Sequence, residues 1–160
     1  MITKCLNGNW MMRDLEWDSY VPAVVPGDLY SDLLRNGKIE DPYYRDNELS
    51  ALKLSDKEYE YVTKFSPEAE QLCAERVLLR FEGVDTLADF YLNDTKIGSA
   101  DNMHRIWEFD VKEFLMEGEN TLRVEFHSPT EFIREKYEEK KLEGTSDAMR
   151  GFPYLRKAHC

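Results

Sequence analysis

Between residues 77 and 111, apolar and polar side chains alternate with the two-residue period of β-strands. Val77, Leu79 and Phe81 alternate with Leu78, Arg80 and Glu82. Ala88, Phe90 and Leu92 form a second set, and Trp107, Phe109 and Val111 a third, with Glu108 and Asp110 between them. Successive side chains of a strand point to opposite faces, so each set predicts one buried face. Phe90 and Phe109 are therefore expected in the core. The same period recurs at Tyr59, Tyr61, Thr63 and Phe65, and again at Leu122, Val124 and Phe126. Asn93 and Asp94 both tolerate positive φ, which predicts a tight hairpin joining Tyr91-Leu92 to Lys96-Ile97. Gly118-Glu119-Asn120 reads as another turn, and Asn7-Gly8-Asn9 as a turn ahead of Trp10, Met11 and Met12.

Helical signals sit at the margins of this pattern. Asp28 is placed to cap a helix through Arg35, with Leu29, Leu33 and Leu34 as its buried stripe and Gly37 as its stop. Ser128-Pro129-Thr130-Glu131 predicts a helix start: serine accepts from the N3 amide, proline occupies N1, and glutamate reaches back to the cap. That helix should run to about Lys141, with Arg134 and Glu138 paired on its surface. Residues 41–48 read as loop, because Pro42 opens them and Asp46-Asn47 favours a turn. Residues 66–74 are polar and read as a loop or one helical turn. The tail from 144 to 160 has no clear period. The central strands are joined too closely for crossover helices, which disfavours a parallel sheet. The pattern predicts an all-β, antiparallel β-sandwich with short peripheral helices.

Length and charge narrow the classes. A chain of 160 residues suggests one domain, 1–160, able to bury a core without staples. With 21 basic and 32 acidic residues the net charge is −11, which repels phosphate backbones and argues against a nucleic-acid partner. No apolar run approaches membrane-spanning length, so no membrane partner is expected. The first residues lack the apolar core of a signal peptide, so a cytoplasmic location is expected for the chain as given. Cys5, Cys73 and Cys160 are widely spaced and contain no Cys-x-x-Cys pair, so free thiols are expected. Asn93-Asp94-Thr95 is formally a glycosylation sequon, though it coincides with the hairpin turn.

Candidate chemistry is sparse. A glycosidase-type carboxylate pair is defined in space, so sequence spacing cannot identify one. Most of the acids alternate with apolar residues or lie in the last helix, as solvated faces do. His104, His127 and His159 fall on different elements without metal-ligand spacing, so no metal or other cofactor is expected. There is no Gly-x-Ser-x-Gly elbow and no phosphate loop. Trp10, Trp17 and Trp107 are expected to anchor packing rather than to form sugar platforms. What remains is the loop Asp101-Asn102-Met103-His104-Arg105, which carries more hydrogen-bonding groups than a connector needs.

An ordered set of segments carries a resemblance. Val25-Pro26-Gly27-Asp28-Leu29, Asp41-Pro42-Tyr43-Tyr44 with Asp46-Asn47-Glu48, Phe81-Glu82-Gly83-Val84-Asp85-Thr86, Leu92-Asn93, Asn102-Met103-His104-Arg105 and Arg156-Lys157-Ala158 follow one another. From about Trp10 to the last residue the chain resembles the N-terminal domain of glycoside hydrolase family 2 β-mannosidases. The resemblance implies a jelly-roll sandwich of the galactose-binding-domain type. It implies a parent enzyme that removes terminal β-mannose by a retaining mechanism. The family's catalytic glutamates lie in a (β/α)₈ barrel further along, and a barrel needs about 250 residues of its own, so no catalytic residue is expected in this chain. The family's Trp-Asp-Trp motif would follow just beyond His159-Cys160, so the chain is expected to be an N-terminal piece of a larger glycosidase. Its expected partners are the catalytic barrel of the same parent and that enzyme's carbohydrate substrate. The resemblance also implies that the loops of Asn47 and Asn102 point towards the barrel mouth, which makes Asn47, Asn102, His104 and Arg105 candidates for an active-site rim or interdomain wall. Both asparagines can instead be turn formers. A free-standing carbohydrate-binding module would require an exposed aromatic platform, and an interaction scaffold would require a large apolar patch.

Overall fold

The computed structural model describes residues 2–141. Among the described residues eight strands form two antiparallel sheets. The strands are β1 (Gly8–Asp14), β2 (Val21–Val25), β3 (Tyr59–Phe65), β4 (Leu78–Glu82), β5 (Ala88–Leu92), β6 (Thr95–Ala100), β7 (Ile106–Asp110) and β8 (Asn120–Phe126). The larger sheet has the order β2-β1-β3-β8-β5-β6, and β4 pairs with β7 in the smaller one. Among the described residues four short α-helices lie outside them: α1 (Leu29–Arg35), α2 (Asn47–Ala51), α3 (Ala69–Leu72) and α4 (Pro129–Glu139).

The alternating positions meet between the sheets. Phe90, Leu92, Leu122 and Met12 of the larger sheet are fully buried, and Leu79, Phe81, Trp107 and Phe109 of the smaller sheet pack against the core that includes Phe90, Leu122 and Met12. The Phe90 ring lies 4.2 Å from Phe81 and 5.2 Å from Phe109, centroid to centroid. Phe109 itself is only half-buried, because a two-stranded sheet leaves both its strands at an edge. Gly98 admits that ring: a Cβ at position 98 would lie 2.0 Å from Phe109 Cε1. The hairpin between β5 and β6 turns at Asn93 and Asp94, whose φ values are 49° and 65°. Side-chain oxygen Oδ1 of Asn93 accepts from Thr121 N, and its Nδ2 donates to Phe114 O and to Asn120 Oδ1. The sequon asparagine is thus committed to holding the turn.

The helices follow the caps. The side chain of Asp28 accepts from Ser31 N at 2.9 Å, and Gly37 leaves α1 at φ 63°. One residue of the expected stripe is displaced: Leu33 is buried, but Leu34 is 43% exposed. One position is about 100° of rotation on a helix, and the inward place beside Leu33 goes to Asp32. Its carboxylate accepts from Val24 N, from Arg35 Nη1 at 2.7 Å and from the Tyr61 hydroxyl at 3.1 Å. Ser128 Oγ accepts from Glu131 N as expected and itself donates to Ser55 O. Arg134 meets Glu131 rather than Glu138. The reading of 41–48 as loop holds to Asp46. There the chain enters α2 and a 3₁₀ turn, Leu52–Asp56, before β3. Arg156, Lys157 and Ala158 lie outside the described residues.

Candidate functional site

Register fixes what meets at one end of the larger sheet. Tyr59 pairs with Phe126, Phe126 with Ala88, and Ala88 with Ala100. Four strand ends are therefore level. Glu58 leads into β3, His127 follows β8, Leu87 leads into β5, and the loop 101–105 leaves β6. A cleft at this end is lined by Glu58, Asp89, Ala100, His127, Glu131 and Phe132, among others.

His127 is the hub of the cleft. Its Nδ1 lies 3.0 Å from Glu58 Oε1, and its Nε2 lies 3.3 Å from Asp89 Oδ2. Asp89 also receives Lys96 Nζ at 2.7 Å and Ser99 Oγ at 2.6 Å. Partial burial raises the Asp89 carboxyl, but hydrogen bonds from Lys96, Ser99 and His127 outweigh it and hold the group below the usual aspartate range. Nothing local in the sequence marks this cluster. Asp89 reads as an outward strand position and His127 as a strand end, and only the pairing of β5 with β8 brings them together.

The loop 101–105 follows Ala100, the last residue of β6. Asn102 Oδ1 accepts from His104 N at 2.9 Å, which closes a tight side-chain turn, and Asn102 O accepts from Trp107 Nε1 at 3.2 Å. Among the described residues, Asn102 Nδ2 donates to no partner. Arg105 lays its guanidinium 4.6 Å from the Trp107 ring centroid, and His104 and Arg105 are exposed. Asn47 begins α2, with its Nδ2 donating to Asp41 O at 2.9 Å. Asn102, His104 and Arg105 therefore share one turn. Asn47 sits on a separate segment, which leads through the 3₁₀ turn into β3. Among the described residues no hydrogen bond joins Asn47 to the 101–105 loop. Both asparagines do the work of turn formers, whatever else their surfaces meet.

The buried acids are structural. Glu60 is 2% exposed and is held by Arg13 at 3.1 Å, Arg123 at 3.1 Å and the Tyr20 hydroxyl. Asp14 is held by Lys57 at 2.5 Å. Among the described residues no group of three His, Cys, Asp or Glu side chains could hold a metal ion, and no helix is long and apolar enough to cross a membrane. Trp10 is buried and donates to Leu6 O, while Trp17 is half-buried with Lys38 over its ring.

Comparison with known proteins bears on this geometry. The family model described as "Glycosyl hydrolase 2 galactose-binding domain-like" matches residues 10–160. The β-mannosidase of Bos taurus is 33% identical over 138 residues, which cover 86% of this chain and 16% of that protein. A crystal structure of a β-D-mannosidase from Dictyoglomus thermophilum superposes with a TM-score of 0.83 at 38% identity, over 86% of this chain and 17% of that one. An exo-chitosanase from Amycolatopsis orientalis shares the fold, with a TM-score of 0.65 at 19% identity over 75% of this chain and 16% of that one. The chain thus spans about one-sixth of the length of the β-mannosidases it matches.

Proposed function

Because this chain belongs to the glycosyl hydrolase 2 galactose-binding domain-like family, we propose that it serves as the non-catalytic N-terminal accessory domain of a β-mannosidase. The parent would hydrolyse terminal β-mannose residues on a catalytic barrel supplied by the rest of its chain. The observation that carries the reading is the 38% identity and 0.83 TM-score to the D. thermophilum β-D-mannosidase. On this reading the level strand ends face the barrel, and Asn47, Asn102, His104 and Arg105 contribute to the rim of its active site. The Asn102 Nδ2, the His104 ring and the Arg105 guanidinium are donors suited to sugar hydroxyls or to barrel loops. Alone they form an open surface, whereas small-molecule sites bury most of their ligand.

The test uses the full-length parent on an aryl β-mannoside. Wild type should turn the substrate over. Asn102→Ala should lower kcat/KM by about tenfold, the loss expected for a removed donor that acts on bound substrate, with a much smaller change in thermal midpoint. No turnover by the parent would refute the assignment, and an Asn102→Ala variant as active as wild type would reduce Asn102 to a turn residue. A second reading, a carbohydrate-binding module, is favoured by the exposed rings of Tyr43 and Tyr44. Calorimetric titration with mannose oligosaccharides separates it from the first.

A further inference from the structure

His127 stands between two carboxylates, and its ring cannot serve both in every protonation state. Nδ1 lies 3.0 Å from Glu58 Oε1, and Nε2 lies 3.3 Å from Asp89 Oδ2. A neutral imidazole has one N–H and one lone pair, whereas the imidazolium has two N–H groups. An ionised carboxylate only accepts. The imidazolium therefore donates to both acids, and the neutral ring must turn its lone pair towards one of them. The two acids are not equally free to give way. Asp89 is also held from β6 by Lys96 Nζ and Ser99 Oγ, and its side chain is only 18% exposed. It is the acid held below the usual aspartate range, so it stays an acceptor throughout. Glu58 is 47% exposed, and among the described residues no other side chain holds its carboxylate. A neutral ring therefore keeps its proton on Nε2, towards Asp89, and Glu58 turns to water.

We infer that His127 is a proton-operated latch: charged, it ties the entry of β3 to β5 and to the start of α4, and neutral, it releases Glu58. The latch sits where two segments are already joined. His127 precedes the α4 cap, and both Ser128 and Thr130 bind Ser55, three residues before Glu58. The Glu58 arm is a further tie between the same two segments, and the one that a proton controls. The charged groups around the ring favour its charged form. Glu131 and Glu135 of α4 line the same cleft. Glu125, two residues back on β8, is paired with Arg123, and Lys57, beside Glu58, is paired with Asp14. Lys96 is the opposing cation, and its charge is engaged by Asp89. The inference stands on this geometry and goes beyond the proposed function without resting on it.

The test follows this chain by NMR and urea unfolding between pH 5 and 8.5. Both ring nitrogens of His127 should carry protons at the acid end, and only Nε2 at the alkaline end. The side-chain signals of Glu58 should move with the ring through the range near pH 6.5 in which histidine titrates, and should lose that inflection in His127→Gln. A latch that closes on a proton takes the proton into the folded state, so stability is gained as pH falls through that range and lost as it rises. The pair is partly exposed and screened by water. Wild type should therefore gain only about 0.3 M in urea midpoint between pH 8 and pH 6 beyond what His127→Gln gains. Glu58→Gln should lose most of that gain, because its amide can accept from the charged ring and donate to the neutral one. Should His127→Gln not fold, Glu58→Gln, at an exposed position, carries the same comparison. A neutral ring protonated on Nδ1, or Glu58 signals indifferent to His127, would overturn the latch. A gain that survives in Glu58→Gln would assign the response to Asp89 alone and also overturn it.

Discussion

Glu60 shows how much one outward-pointing residue can be asked to hold. Strand alternation puts it on the face away from the core, yet Tyr20, Arg13 and Arg123 close over it. Burial raises its carboxyl, and the hydrogen bonds from Tyr20 and Arg123 with the charges of both arginines outweigh that and hold it below the ordinary glutamate value. Asp28 and Asp89 are lowered in the same sense: burial is offset at Asp28 by Ser31 and at Asp89 by Lys96, Ser99 and His127. A carboxyl with a depressed folded-state pKa contributes stability that is complete above its unfolded pKa and is lost as pH falls through the folded value. Unfolded carboxylates titrate near pH 4. Urea midpoints should therefore stay level for these three groups from pH 7 to about 5 and fall below about 4. Glu60→Gln should start less stable at pH 7 and show a shallower acid fall. A Glu60→Gln profile parallel to wild type would show that this carboxylate does not drive the acid loss.

At the scale of elements, caps and turns are local, and they form where the sequence marks them. Ser128 and Asp28 each accept from the backbone amide three residues on, and Asn93-Asp94 turns the hairpin with both φ values positive. What the elements press against is not local. Gly98 looks like a weak point in β6, because glycine has no side chain to pack in a strand. Its place is explained only by Phe109, which reaches it from the other sheet. Gly98→Ala should destabilise the domain by roughly 1–3 kcal/mol, the range for overpacking a core, read as a lowered urea midpoint with an unchanged slope. Gly98→Ala with Phe109→Leu should recover part of that loss, and no recovery would mean that the strain lies in the backbone. The α2 segment escaped pattern reading for a related reason. Leu49, Ala51, Leu52 and Leu54 make no one-sided stripe, because the segment has an inner contact at Ala51 and Leu54 and an outer apolar face at Leu49 and Leu52.

For the whole molecule, the cleft at the level strand ends stands open, and two of its acids, Glu58 and Asp89, are engaged by His127, Lys96 and Ser99. The isolated chain should therefore turn over no aryl β-mannoside above a buffer blank. Turnover by contaminant-free protein would show a reacting pair within these 160 residues. Strand identity, the one-faced burial of Phe90, Leu122 and Val124, the helix at Ser128 and the hairpin at Asn93 were legible from the chain itself. Each depends on the side-chain period of one element or on hydrogen bonds spanning three or four residues, and such short-range physics is written in adjacent letters. The sheet order β2-β1-β3-β8-β5-β6, the bridging of Glu58 and Asp89 by His127, the burial of Glu60 and Asp32, and the outward face of α2 were decided only in three dimensions. They join groups dozens of residues apart, and pairing register, which no local period encodes, determines which of those groups meet.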